Sequence, residues 1–199
     1  RLPPSRPDVQ AITLPIAAVI KAESLDKLGR YKDAYAAYVA LNAFDHGQRI
    51  PLDAYAKEIL AYVDMPTAEL PPDPRAANHF DMLGFPRSGT TLLENALAAH
   101  PRIETFEEVS SIAAVRRYLG SALPADASPE LVRDVFIEAR ERYYIELDMV
   151  RRKDGADIFV DKLPIRSSEA KFLVKLFPDK RYIFSIRHPF DVVLSAFKQ

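Results

Sequence analysis

Residues 80–100 constrain the fold of this chain more than any other stretch. An apolar run from Phe80 to Phe85, broken only by Asp81, reads as a buried strand. Gly84, Pro86 and Gly89 then interrupt strand and helix alike, and Leu92, Leu93, Ala96, Leu97 and Ala99 recur at helical spacing. Strand, tight loop and helix in that order aim backbone N–H groups and a helix dipole at an anion. The loop nearly fits the nucleotide-binding pattern G-x-x-x-x-G-K-[ST], with Gly84 and Gly89 at the right separation. It departs at one place: Thr90 stands where that pattern has Lys, and the cation sits earlier, at Arg87. Three hydroxyls (Ser88, Thr90, Thr91) and a guanidinium suit a terminal oxyanion, whereas the Lys-and-Mg²⁺ arrangement of a nucleoside triphosphatase is incomplete.

The flanking sequence supplies the rest of an alternating pattern. Residues 1–8, with Pro3, Pro4 and Pro7, read as an entry linker, and two helices over about 10–46 join at Gly29. Leu28-Gly29-Arg30-Tyr31, followed by Ala34, Tyr35, Tyr38 and Leu41, resembles the second half of a tetratricopeptide repeat, in which Gly makes the turn and small residues let the helices approach. A third helix follows Pro51, from Leu52 to Tyr62, and Met65–Pro74, with four prolines, marks a domain boundary. Residues 1–74 are thus a helical repeat-like segment with its linker, and 75–199 a second domain.

In that second domain Arg102–Phe106 is a loop or strand, and a helix runs from about Val109 to Leu119. Ser128-Pro129-Glu130 starts a long helix that reaches Val150. Ile158–Val160 and Tyr182–Ile186 read as buried strands, separated by a helix capped by Ser167 or Ser168, and Asp191 opens a last helix. The alternation predicts an α/β fold: a P-loop-type parallel sheet flanked by helices, preceded by the helical segment. Ligands on such sheets bind outside the carboxyl ends of the strands, where polar clusters follow Phe85, Val160 and Ile186.

Composition narrows the function. The chain has no Cys, which excludes disulfides and thiolate chemistry, and its four histidines (His46, His79, His100, His188) show no ligand spacing, so no metal is expected. A net charge of −1 argues against nucleic acid as a partner. The charge is uneven: residues 80–150 carry 7 Lys/Arg against 12 Asp/Glu, and residues 151–199 carry 11 against 6. A basic region beside an anion-type loop suits a small anionic ligand. The apolar stretch Ala11–Ile20 is too short for a membrane span and has no signal-peptide flanks, so a cytoplasmic protein is expected. The chain opens on Arg1 and stops at Gln199 inside a helical pattern, as a segment of a longer protein would.

Pro86-Arg87-Ser88-Gly89-Thr90-Thr91-Leu92, followed by His100-Pro101, resembles the 5′-phosphosulfate-binding loop of sulfotransferases. It is most similar to that of bacterial enzymes carrying tetratricopeptide repeats and of tyrosylprotein sulfotransferases. The resemblance implies a 3′-phosphoadenosine-5′-phosphosulfate (PAPS) co-substrate held by Arg87, Ser88, Gly89, Thr90 and Thr91. It also implies a 3′-phosphate grip by Arg187, of Arg187-His188-Pro189, together with Ser195 eight residues on. A strand-end Arg forms a bidentate pair, and a hydroxyl on the next helix adds a donor. Lys162, in Asp161-Lys162-Leu163-Pro164, matches the Lys that approaches the scissile bond in the tyrosylprotein enzymes, with Arg87 as the second cation. Their base is a Glu in a Gly-Glu-Glu-Thr-like segment. Here Thr105-Phe106-Glu107-Glu108-Val109 makes Glu108 the match, with Phe106 and Val109 departing from the pattern.

The expectation is therefore a sulfotransferase moving a sulfuryl group from PAPS to an acceptor hydroxyl or amine by metal-independent in-line transfer. Glu108, Lys162 and Arg87 would be its catalytic residues, and the repeat-like helices point to a protein or peptide acceptor. Two other classes compete: a helical-repeat scaffold with a non-catalytic nucleotide-binding domain, and a P-loop kinase. The missing loop Lys and the lack of an Mg²⁺-binding acid beyond Asp161 count against the kinase.

Overall fold

Four short strands form one parallel sheet in the order β2-β3-β1-β4: β1 (His79–Gly84), β2 (Ile103–Glu107), β3 (Ile158–Lys162) and β4 (Arg181–Ser185). The computed structural model describes residues 7–43 and 51–198. Met82, Leu83, Phe106, Phe159 and Val160 are buried, as strands covered on both faces require. Register pairs Asp81 with Asp161 and Met82 with Lys162 across β1 and β3, and Glu107 with Lys162 across β2 and β3. The chain builds β2 and β3 to one side of β1, then crosses to build β4 on the other. The order therefore reverses at β1, and a crevice at its carboxyl end follows from the topology.

The helices are α1 (Pro7–Lys27), α2 (Tyr31–Ala43), α3 (Leu52–Val63), α4 (Thr90–Ala98), α5 (Ser111–Ala122), α6 (Pro129–Val150), α7 (Ala170–Leu176) and α8 (Pro189–Phe197), with 3-10 turns at Pro74–Ala77 and Pro164–Glu169. Packing divides the chain into two compact units, 1–51 with 193–199, and 52–192. In the first, α1 and α2 turn back at Gly29, whose φ of 73° suits glycine, and close over Ala22, Ala34, Tyr38 and Leu41. Phe197 stacks on Tyr35 with ring centroids 5.3 Å apart, and Lys198 Nζ lies 2.6 Å from Asp26. In the second, α5, α6 and α7 cover the sheet through Val115, Leu119, Phe136, Tyr143, Phe172 and Phe177. Helix α3 belongs there too, with Tyr62 against Phe172 (5.6 Å) and Lys175 Nζ donating to the Met65 carbonyl (2.9 Å). The division by packing thus lies upstream of the prolines of residues 66–74.

Several local details differ from the sequence reading. Helix α1 starts at Pro7 and α8 at Pro189, because a first helical position tolerates the fixed φ and missing N–H of proline. The rest of the expected entry linker (1–6) and residues 44–46, including His46, lie outside the described residues. Of the two readings left open for Arg102–Phe106, the strand holds, over Ile103–Glu107. Neither Ser167 nor Ser168 caps α7: the 3-10 turn leads straight into it, and the capping position is Glu169, without a side-chain bond. The long helix α6 starts as expected, with Ser128 Oγ accepting from the Leu131 N–H and Pro129 at its first position.

Candidate active site

The loop after β1 is held from two sides. Ser167 Oγ accepts from the Gly84 N–H at 2.8 Å and lies 2.7 Å from the Gly84 carbonyl and 2.8 Å from that of Pro164, to either of which it donates. Ser185 Oγ, at the end of β4, donates to the Ser88 carbonyl at 2.9 Å. Glycine is required at 84, since a Cβ there would meet Ser88 Oγ at 2.8 Å and the Ser185 carbonyl at 2.9 Å. The Ser88 N–H closes a turn onto the Phe85 carbonyl (3.0 Å), and Gly89, at φ 91°, opens α4 without a side-chain cap. The first-turn N–H groups of α4 have no intrahelical acceptor and face the loop.

Ser88 and Thr90 are buried, while Arg87, Gly89 and Thr91 are exposed. Ser88 Oγ is fully buried and has no hydrogen-bond partner among the described residues, as a hydroxyl reserved for a ligand oxygen would be. Arg87 holds φ 74° and Glu108 φ 52°, the two non-glycine residues of positive φ among those described. Both are residues the sequence marks as catalytic, and backbone strain of this kind concentrates at functional sites.

Lys162 ends β3 and is only 1% exposed. Its Nζ lies 2.8 Å from Glu94 Oε2 on α4 and 2.7 Å from Glu107 Oε1 at the end of β2. Burial pushes the ammonium down, but the hydrogen bonds and charges of Glu107 and Glu94 outweigh it and hold Lys162 above the usual lysine value. Glu108 is exposed, and its N–H donates to the Lys162 carbonyl at 2.9 Å, so the carboxylate that reaches Lys162 is Glu107. Arg187 follows β4, exposed, with Nη1 donating to the Arg87 carbonyl (3.3 Å) and Nε 3.7 Å from Asp191. The phosphate-type loop, Glu107 and Glu108, Lys162 and Arg187 therefore stand at the carboxyl ends of β1, β2, β3 and β4 respectively. Ser195 is half-buried on α8, within the first unit.

Asp161 faces the other side of the sheet from Lys162 and is spent on structure. It pairs with Arg166 at 2.5 Å and accepts from Tyr143 (2.8 Å) and Ser111 (3.0 Å), while Lys180 pairs with Asp81 at 2.9 Å. Two carboxylates and two cations make this buried set neutral, and burial followed by the charges of Asp161 and Asp81 pushes the Tyr143 phenol far up. The acid that a kinase would need for Mg²⁺ is thus engaged elsewhere. Among the described residues no group of three or more His, Asp or Glu is placed to hold a metal ion, and no helix is long and apolar enough to cross a membrane.

Three residues of the site were not marked by the sequence reading. Ser167 and Ser185 act on backbone atoms remote in sequence, which no local pattern reveals. Glu94 carried a signal: an acid four residues after Thr90, on the same helix face as the loop hydroxyl.

Residues 81–199 match the Sulfotransferase family. The chain belongs to the sulfotransferase family. Among similar proteins, one described as uncharacterized from Aquifex aeolicus (strain VF5) is 30% identical over 127 residues, 59% of this chain and 16% of that protein. Protein-tyrosine sulfotransferase A of Caenorhabditis elegans is 29% identical over 110 residues, 52% of this chain and 29% of its own length. Protein-tyrosine sulfotransferase 1 of Mus musculus is 28% identical over 112 residues, covering 52% and 30%. This sulfotransferase chain matches less than a third of the length of each of these curated relatives. The crystal structure of sulfotransferase STF9 from Mycobacterium avium covers 80% of this chain and 53% of its own at 18% identity, with a TM-score of 0.37, too distant to inform the chemistry.

Proposed function

We propose that the chain carries the PAPS-binding, front portion of a sulfotransferase, residues 75–199, behind a tetratricopeptide-like helical segment at 1–74. The observation that carries this reading is the meeting at the strand ends of a cap-free helix start, the orphaned Ser88 hydroxyl and two cations, Arg87 and Lys162. The set fits a phosphosulfate: N–H groups and hydroxyls from Ser88 to Thr91 bind its 5′ oxygens, and Arg187 grips the 3′-phosphate. PAPS supplies the sulfuryl group and leaves as 3′-phosphoadenosine-5′-phosphate (PAP). Arg87 and Lys162 stabilise the charge that develops on the departing phosphate, the role a metal fills in kinases. Glu108 takes the proton of the acceptor hydroxyl or amine. The relatives named protein-tyrosine sulfotransferases make a peptide phenol the acceptor class to screen first.

Calorimetric titration of the chain with PAP, ADP and ATP, with and without Mg²⁺, tests the cofactor assignment. Selective binding of PAP without Mg²⁺ is expected. Preference for ATP with Mg²⁺ would instead identify a kinase-type site, and absence of nucleotide binding a scaffold.

A further inference from the structure

The two residues of α4 that are buried are both polar, Thr90 and Glu94. Leu92, which the apolar pattern would place inward, is 77% exposed. The helix packs against β2 and β1, and its buried Glu94 reaches the end of β3 at Lys162. Glu94 is 6% exposed, and an ionised carboxylate is tolerated there only if it is paired. Its partner is the Lys162 ammonium, itself 1% exposed. Glu107, the second partner of Lys162, has a side chain 63% exposed and can exchange its ion pair for water at little cost. Glu94 has no such exchange open to it.

We propose that Glu94 is a positioning residue for sulfuryl transfer: from the helix that begins at the phosphate-type loop, its buried carboxylate fixes the Lys162 ammonium at the strand end and keeps it charged. The proposal rests on the reading of Lys162 as a transfer cation. An ammonium has three N–H donors, of which Glu94 and Glu107 take two. The third is directed to the reacting oxygen while Glu94 keeps its bond. The charged groups facing Lys162 are Glu94 from α4 and Glu107 from β2. Its strand neighbour Asp161 points to the opposite face and is neutralised by Arg166. One loop-helix thus carries both the anion-binding turn and the anchor of the cation, so the two move as one body.

The test uses the full chain and the variants Glu94→Gln, Glu94→Asp, Lys162→Ala and the double variant Glu94→Gln/Lys162→Ala. Ionisation of Lys162 is followed by NMR of ¹³Cε-labelled lysine, its signal assigned by its loss in Lys162→Ala. PAP release from PAPS is followed with a simple phenol as acceptor, and PAP affinity by calorimetry. In Glu94→Gln the Lys162 titration and the alkaline limb of PAP release are expected to move to lower pH, with turnover down about 10²-fold and PAP affinity unchanged. Glu94→Asp, the milder change should the Gln variant fold poorly, moves both in the same direction by less. The double variant is expected to be no slower than Lys162→Ala alone, since both changes strike one device. A Lys162 titration that stays in place in both Glu94 variants, or losses that simply add, would reduce Glu94 to a packing contact and overturn the proposal while leaving Lys162 as the transfer cation. Near-normal turnover in Lys162→Ala would remove the underlying reading itself, and the proposal with it.

Discussion

Glu108 holds a conformation that its own side chain disfavours. At φ 52° an L-residue pays roughly 1 kcal/mol for the clash of Cβ with the carbonyl, and glycine does not. Two substitutions therefore separate the backbone role from the carboxylate. Glu108→Gly is expected to raise stability by about 1 kcal/mol, read as the urea midpoint, and to abolish sulfuryl transfer. Glu108→Gln is expected to leave stability unchanged and abolish transfer as well, with PAP affinity intact in both. Normal turnover in the Gln variant would take the base away from this position, and Glu107, whose carboxylate is the one on Lys162, would be examined next. At this scale the sequence revealed residue types better than partners. Arg87, Lys162 and Arg187 were singled out by their match to the family motifs, and their roles stand as proposals. Glu94 was not, because helical periodicity counts apolar residues, and the leucines of α4 drew the inward face away from the polar side chains that occupy it.

Among the elements, β1 joins the loop to the core, and His79 at its start reports on that junction. The ring stacks on Phe159 (4.7 Å between centroids) with its edge to Tyr144 (4.8 Å), and Nδ1–H donates to the Arg75 carbonyl at 2.9 Å. Burial pushes His79 below the ordinary histidine value, helped by the positive charges of Lys180 and Arg75 and opposed by the bond to Arg75 and by Asp148. The unfolded chain takes up this proton at about pH 6.5, and the folded chain only at lower pH. Between those points the unfolded state binds more protons, so the stabilisation is complete above about pH 6.5 and is lost as the pH falls towards the folded value. Urea unfolding at steps between pH 8 and 5 is expected to show this decline, and His79→Phe, which keeps the stack, is expected to flatten it. An unchanged slope in the variant would assign the decline to other groups. The strands and the long helix α6 were legible from periodicity and caps, but the serine at 167 was not. A serine ahead of an apolar helix reads locally as its cap, whereas its hydroxyl serves a backbone 83 residues away. Hydrogen bonds of that reach are set by the crossover of the sheet, which sequence pattern does not encode.

At the scale of the whole molecule the two units close over separate apolar clusters. The core of the second draws on α5, α6, α7 and the sheet, while the first, among the described residues, closes over Ala22, Ala34, Tyr38 and Leu41. A division marked by prolines and a division by packing need not coincide. Prolines mark where a chain cannot continue a helix, but membership of a unit is decided by burial, and α3, although it precedes the prolines, buries Tyr62 against Phe172. Local stability follows the apolar area that opening a unit exposes. Within the first unit Phe197 is a main contributor, its ring 5.3 Å from that of Tyr35 and 6.0 Å from that of Tyr38. Phe197→Ala removes both ring contacts, and because the residue is only half-buried the expected loss is about 2 kcal/mol, below the full cost of a core Phe. Native-state hydrogen exchange is the measurement that resolves where this loss falls. Amides of α1 and α2 are expected to lose protection by a factor of about 30, the equivalent of that free energy, while amides of β1 and β3 exchange as before. Equal loss in the strands would mean that the chain unfolds as one cooperative body, so that the helical segment and the sheet share a single stability.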